Sequence, residues 1–423
     1  MIVDYRNSEP SSFSLIRIII YLNTRRKNGN CRKIENLSDY ISKVKNLHNC
    51  LGINDELYFR GQDQKYLKKI SLNSTHLEIL KECDEKIIES IVPSLFRKEK
   101  FVESEDKLYI NFLMQAPDLF AHCNNNFERL ALMQHHQLPT RLLDLTTNPL
   151  IALFFSCSNP NENGVVYPFS NRLNFEIFKN NLELLDKQNI LDDFKDIGES
   201  NNIFLTRKVS IRKSAFSDEV ELESTIVRMS PDDKQALLNE ISRFFALRSE
   251  HLRNTTDRRK WNEVYYENKS RNSLNDIEYY RSTIIENLSM QHLYYMITND
   301  IGVFKRELNP IELYLPKIVK PRVIDERIRN QKGLFLFVPF VGEVNYTDYH
   351  GAVFNNYDDK LWAVQNSINS LRLFNDDGDL ISFVIPKEKK LKILNELREV
   401  GVDSTFIYPD NYSRVSEQIS KLC

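Results

Sequence analysis

Gln134-His135-His136-Gln137-Leu138-Pro139-Thr140-Arg141-Leu142-Leu143-Asp144-Leu145-Thr146-Thr147-Asn148-Pro149 is the stretch on which the reading of this chain turns, and it runs straight into the apolar segment 150–157. Pro139 fixes its own φ and biases Leu138 toward an extended conformation, so the chain bends before Thr140. Asn148-Pro149 is a natural helix start, with Asn as cap and Pro at the first helical position. Leu150, Ile151, Leu153, Phe154 and Phe155 then form a nearly all-round apolar helix or a buried strand. The polar cluster is therefore pinned beside a core. Arg141 and Asp144, drawn toward that core, need each other or a ligand, because an unpaired buried charge is too costly to keep. His135 and His136 cannot point the same way on a helix or a strand, so at most one faces a ligand and the other packs.

The rest of the composition bounds the answer. A chain of 423 residues, 41% hydrophobic and 27% charged, has the make-up of a globular protein with room for two or three core-bearing units. A net charge of -2 gives no global field that recommends nucleic acid or an anionic membrane. Cys31, Cys50, Cys83, Cys123, Cys157 and Cys423 lack CxxC spacing, which argues against a zinc site and a disulfide scaffold and leads to the expectation of a cytoplasmic location. The apolar run 14–22 holds Arg17 and is far too short to span a bilayer, so no membrane partner is expected. Adjacent histidines seldom converge on one ion and no second cluster offers further ligands, so no metal is expected either.

Along the chain, residues 1–56 read as a helical lead-in, with Leu37, Ile41, Val44 and Leu47 at helical spacing. Leu57-Tyr58-Phe59-Arg60-Gly61-Gln62 is a short apolar strand ending on Arg, Gly and Gln. Gly61 permits a sharp turn or a close backbone approach. Arg60 suits a phosphate or carboxylate through its planar fork of donors, or pairs with a nearby acid such as Asp63. Residues 77–133 are expected to be helix-rich, with Ile87, Ile88, Ile91 and Leu95 on apolar faces. The span 164–169 reads as a core strand. Residues 171–310 are polar and mainly helical, an insertion or lid. Within it Arg248, Arg253, Arg258, Arg259 and Lys260 beside Trp261, Tyr265 and Tyr266 form either a basic patch compatible with single-stranded nucleic acid or a solvated helix with aromatic core contacts. The sheet pattern resumes over 311–423, with strands near 333–338, 380–385 and 404–410 and a helix over 388–400.

The pairing of Leu57-Tyr58-Phe59-Arg60-Gly61-Gln62 with Gln134 to Asp144 resembles the FRG family, named for its Phe-Arg-Gly motif, whose second motif reads Q-H-H/Y-G-L-P-T-R-L-L-D-W-T-x-N-P. Two positions depart from that pattern: Gln137 stands in place of Gly, and Leu145 in place of Trp. The resemblance extends to Arg327-Ile328-Arg329-Asn330-Gln331-Lys332-Gly333-Leu334-Phe335 and to a closing strand over 404–410. It implies an α+β fold, a mixed sheet core of ADP-ribosyltransferase-like type formed by 57–170 and 311–423 around the 171–310 insertion.

The family layout is similar to that of mono-ADP-ribosyltransferases, which implies NAD as substrate and a nucleic acid or protein acceptor, in a toxin or phage-defence setting. On that comparison Arg60 grips the NAD pyrophosphate or ribose, and Thr140 or Thr146 shapes the nicotinamide pocket. Gln62, His135, His136 and Arg141 line the NAD site. Gln331 sits at the transferase glutamate, and because Gln carries no charge Asp144 is the candidate for the stabilising carboxylate. Two rival readings stand beside it. One is a non-catalytic sensor of a nucleotide or nucleic-acid end, built on Arg60, His136 and Arg141. In the other the motifs are purely structural, with Arg141–Asp144 as an internal brace.

Overall fold

The structure, a computed structural model, describes residues 32–50, 56–71, 85–171, 212–213, 218–240, 287–301, 313, 316–321, 326–340, 357–375 and 379–409. In chain order the strands are β1 (Arg32–Lys33), β2 (Leu57–Gln62), β3 (Leu67–Ser71), β4 (Glu85–Glu89), β5 (Leu142–Thr146), β6 (Gly164–Ser170), β7 (Arg212–Lys213), β8 (Lys317–Lys320), β9 (Gly333–Phe337) and β10 (Phe383–Ile385). The helices are α1 (Leu37–Cys50), α2 (Glu99–Val102), α3 (Glu105–Gln115), α4 (Asn126–His135), α5 (Pro149–Ser156), α6 (Asp218–Val227), α7 (Leu288–Ile301), α8 (Glu326–Asn330), α9 (Tyr357–Asn369), α10 (Lys387–Glu399) and α11 (Ser404–Ile407). A further helical stretch covers 231–240. The chain is thus a mixed α+β protein.

Its sheet has eight strands in the order β1-β10-β6-β2-β5-β9-β8-β7. The six central strands pair antiparallel, and the short edges β1 and β7 pair parallel to β10 and β8. Every residue of β6 is buried, the mark of a central strand covered on both faces. One core joins α1, α5 and α10 to Phe59 of β2, Val166 of β6 and Phe383 of β10. A second core gathers Tyr58, Tyr167 and Leu143 with α4, α6, α7 and α9. The described helices of the 171–310 segment therefore share a core with the motif-bearing elements, and β7 adds a strand to their sheet.

The fold resolves the choice left open at Gly61 in favour of close approach. A Cβ there would lie 1.8 Å from the Ala152 carbonyl oxygen of α5, and one on Gly164 would lie 2.0 Å from that of Ser156. Two glycines on neighbouring strands let the α5 backbone rest directly on the sheet. The segment 150–156 is a helix, capped by Asn148, whose side chain accepts from the Leu150 amide at 3.0 Å.

Two expectations are corrected. Residues 85–89 form a strand hydrogen-bonded to β3, with the adjacent Ile88 and Ile87 on its buried and exposed faces, as the alternation of a strand requires. Ser404–Ile407 is a helical turn and not a closing strand, since the Asp403 carboxylate accepts from the Thr405 and Phe406 amides. Gln331 lies in the turn between α8 and β9. The basic-aromatic stretch 248–266 lies outside the described residues. Among the described residues no helix is long and apolar enough to cross a membrane.

Candidate functional site

Strand β2 delivers Arg60 and β5 delivers Asp144. Phe59 is registered opposite Thr146, and Arg60 reaches across to donate from Nη1 to the Asp144 carbonyl at 2.8 Å. The same Nη1 stands 3.8 Å from Asp144 Oδ2, with the arginine side chain 13% exposed and the aspartate side chain 60% exposed. An ion pair this long, with one partner largely in water, contributes at most about 1 kcal/mol. Asp144 is therefore presented to solvent beside a nearly buried guanidinium. Gln134, in the last turn of α4, donates from Nε2 to Asp144 Oδ2 at 3.1 Å, while its Oε1 accepts from Thr140 Oγ1 at 2.6 Å. Burial pulls the Arg60 guanidinium below its ordinary pKa, Asp144 opposes that shift and Arg97 adds to it. Arg60 Nε is buried without a hydrogen-bond partner, and so is Oε1 of Gln62 two residues along β2.

Opposite Arg60 on β6 stands Tyr167. Arg372 lies over its ring at 4.7 Å and pairs with Glu89 at 3.1 Å, and Lys65 pairs with the same carboxylate at 2.9 Å. This charged group holds Tyr167, and it was illegible in sequence because its three members come from separate segments with no shared spacing.

Arg141 corrects the expected brace. It is wholly buried, and its fork meets Glu105 of α3, with Nε to Oε1 at 2.7 Å and Nη2 to Oε2 at 2.5 Å. Lys234 reaches the same carboxylate at 2.8 Å, and the guanidinium lies 4.0 Å over the Phe340 ring. Burial alone would raise the Glu105 carboxyl, but Arg141 and Lys234 outweigh it and hold it below the ordinary range. Arg141 is thus engaged inside the protein and turned away from Asp144, as residues three apart around a strand must be. Neither Glu105 nor Lys234 was recognised in sequence. Each is an ordinary charge in a polar helix until tertiary packing buries it.

The remaining positions fall on the frame around Arg60 and Asp144. Thr140 is buried, and its backbone amide donates to Ser94 Oγ at 3.1 Å. Thr146 donates to the Gln331 carbonyl at 2.7 Å, and the Gln331 amide donates to the Ile407 carbonyl at 3.2 Å. His135 and His136 meet edge to face with centroids 5.0 Å apart, and His136 also meets Phe112. Among the described residues no group of three or more His, Cys, Asp or Glu side chains gathers to hold a metal. Gln137 takes φ 66°. Its amide bonds the Gln134 carbonyl and the Leu138 amide bonds the Met133 carbonyl, both at 3.0 Å, which is the Schellman ending of α4. The left-handed conformation that Gly would supply is kept with Gln.

A search of curated proteins and a search of solved structures each find no match to the chain. The family model for the FRG domain matches residues 55–164. That span contains Arg60, Gly61, Gln134 and Asp144 with the strands and helices that bring them together, and the sheet is completed by strands from outside it. This chain carries an FRG domain over residues 55–164.

Proposed function

We propose that the Arg60–Asp144 site binds NAD and promotes cleavage of its nicotinamide–ribose bond, transferring ADP-ribose to a protein or nucleic-acid acceptor. One observation carries the reading: a nearly buried guanidinium with an unpartnered Nε stands 3.8 Å from a carboxylate that is open to solvent. The guanidinium suits a diphosphate and the carboxylate suits positive charge developing on the ribose. As the C1′–N bond breaks, its electron pair leaves with neutral nicotinamide. The acceptor adds at C1′ and releases its proton, and Asp144 is placed to stabilise the cationic sugar and take that proton. Gln134 orients the Asp144 carboxylate from α4. Incubation with labelled NAD and cellular protein, RNA or DNA tests this. Nicotinamide release and label transfer are expected, and both should vanish in Arg60→Ala and Asp144→Asn with the fold intact. Equal turnover in the wild type and Asp144→Asn would remove the carboxylate from the mechanism.

A second reading, a nucleotide-binding module without turnover, is favoured by Gln331. That residue, for which the resemblance implies the transferase glutamate's position, is uncharged and bonded to the Ile407 carbonyl. On this reading NAD or ADP-ribose raises the melting temperature, Arg60→Ala abolishes the rise, and no nicotinamide appears.

A further inference from the structure

Two unpartnered polar groups stand on one face of one strand. Tyr58, Arg60 and Gln62 alternate with Phe59 and Gly61, and the latter pair faces α5. Arg60 and Gln62 therefore share the opposite face, where they lie across from Tyr167 and Val165 of β6. Gln62 is only 7% exposed, and its Oε1 is buried without a donor. A buried acceptor left unpaired is costly, and so is a buried donor such as Arg60 Nε. The two groups ask for opposite things: Arg60 Nε needs an acceptor, preferably an anion, and Gln62 Oε1 needs a hydroxyl or amino donor. Their backbone positions are about 7 Å apart, two residues along a strand, a separation that one phosphorylated sugar spans. Neighbouring Tyr167 is fixed by Arg372 and Glu89, so the face is held rigid.

We propose that this face of β2 recognises a sugar phosphate, with the phosphate on Arg60 and a sugar hydroxyl donating to Gln62 Oε1. Gln62 is the residue that separates a sugar phosphate from a bare phosphate or diphosphate. The inference rests on the Arg60 site being a ligand site, as the preceding reading has it, but not on turnover.

The test is binding of ADP-ribose, ribose 5-phosphate and inorganic pyrophosphate by calorimetry to the full chain and to Gln62→Leu. Leu fills a similar volume and removes the buried acceptor, so this variant is expected to melt no lower than the wild type. The two sugar phosphates are expected to bind Gln62→Leu about tenfold more weakly, the loss of one well-made hydrogen bond to a buried group, while pyrophosphate binds both proteins alike. Equal affinity of ADP-ribose for the two proteins overturns the proposal, as does a wild type that binds pyrophosphate and neither sugar phosphate, or none of the three. Nicotinamide release measured on the same samples separates the two ideas. Release that is unchanged in Gln62→Leu, with equal affinities, sinks the recognition proposal and leaves the transferase standing. Discrimination by Gln62 with no release does the reverse.

Discussion

Gln137 shows how a single backbone angle outlasts a change of side chain. Its φ of 66° closes α4, and a residue with a Cβ pays about 1–2 kcal/mol to hold that region. Gly relieves this but gives back about 0.5–1 kcal/mol of chain entropy. Gln137→Gly is therefore expected to stabilise the protein by up to about 1 kcal/mol, read by chemical denaturation, and a destabilised variant would show that the Gln side chain makes a compensating contact. Gly61 is the opposite case. With a Cβ 1.8 Å from the Ala152 oxygen, Gly61→Ala must push α5 off the sheet, at about 1–3 kcal/mol or more. Gly333→Ala is the control, since its Cβ would meet nothing closer than 3.6 Å, and it should melt within about 0.5 kcal/mol of the wild type. Equal melting of the two variants would show that α5 does not rest on β2 as described. These residue-scale features were partly legible. The Phe-Arg-Gly motif marked Gly61 as special, but only the packing of α5 says why.

At the scale of elements, α4 is held at both ends. Its C-terminal turn presents Gln134 to Asp144. Its first amides, those of Asn126 and Phe127, donate to the buried Glu221 carboxylate of α6 at 3.0 and 3.4 Å. Around Glu221 stand Arg129 on α4, Asp300 on α7, Arg228 just past α6 and Tyr109 on α3. Burial raises the Glu221 carboxyl to about 7, the amides of Asn126 and Phe127 lower it, Asp300 adds to the rise and Arg129 opposes it. A group whose folded pKa lies above its unfolded value contributes stability that is whole below the unfolded pKa, near 4.5, and is lost as pH rises through about 7. Denaturation between about pH 5 and pH 8 is expected to show this loss, at most about 3 kcal/mol, and Glu221→Gln should flatten it. An unchanged slope in that variant would assign the pH dependence elsewhere. The helix itself was legible from the run 127–134. Its anchor on α6, almost a hundred residues away, was not, because a lone glutamate in a polar segment looks like any solvated charge.

For the molecule as a whole, Glu105, Arg141 and Lys234 tie α3, the approach to β5 and the 231–240 helix to one another. Glu105→Ala would leave two buried cations facing each other and is expected to cost about 3–5 kcal/mol in thermal or chemical unfolding. Replacing all three with apolar residues of similar volume should recover most of that loss. If the single variant melts like the wild type, the trio does not hold the fold. The depressed Glu105 carboxyl works against the Glu221 trend: its contribution is present above its unfolded pKa and disappears as pH falls.

The family resemblance implied the α+β class; by itself the sequence determined the strand that ends on Arg60, Gly61 and Gln62, the helix-start signal at Asn148-Pro149 and the core strand over 164–169. Each rests on local signals: a proline, a cap, a period of apolar residues. Only the tertiary structure decided that Arg141 belongs to Glu105 and not to Asp144, that 85–89 is a strand, that Gln331 is held in a turn and that segment 171–310 supplies helices to the shared core. Those outcomes depend on which distant groups share a desolvated space. Burial and charge pairing are fixed by neighbours in three dimensions, and no spacing along the chain records them.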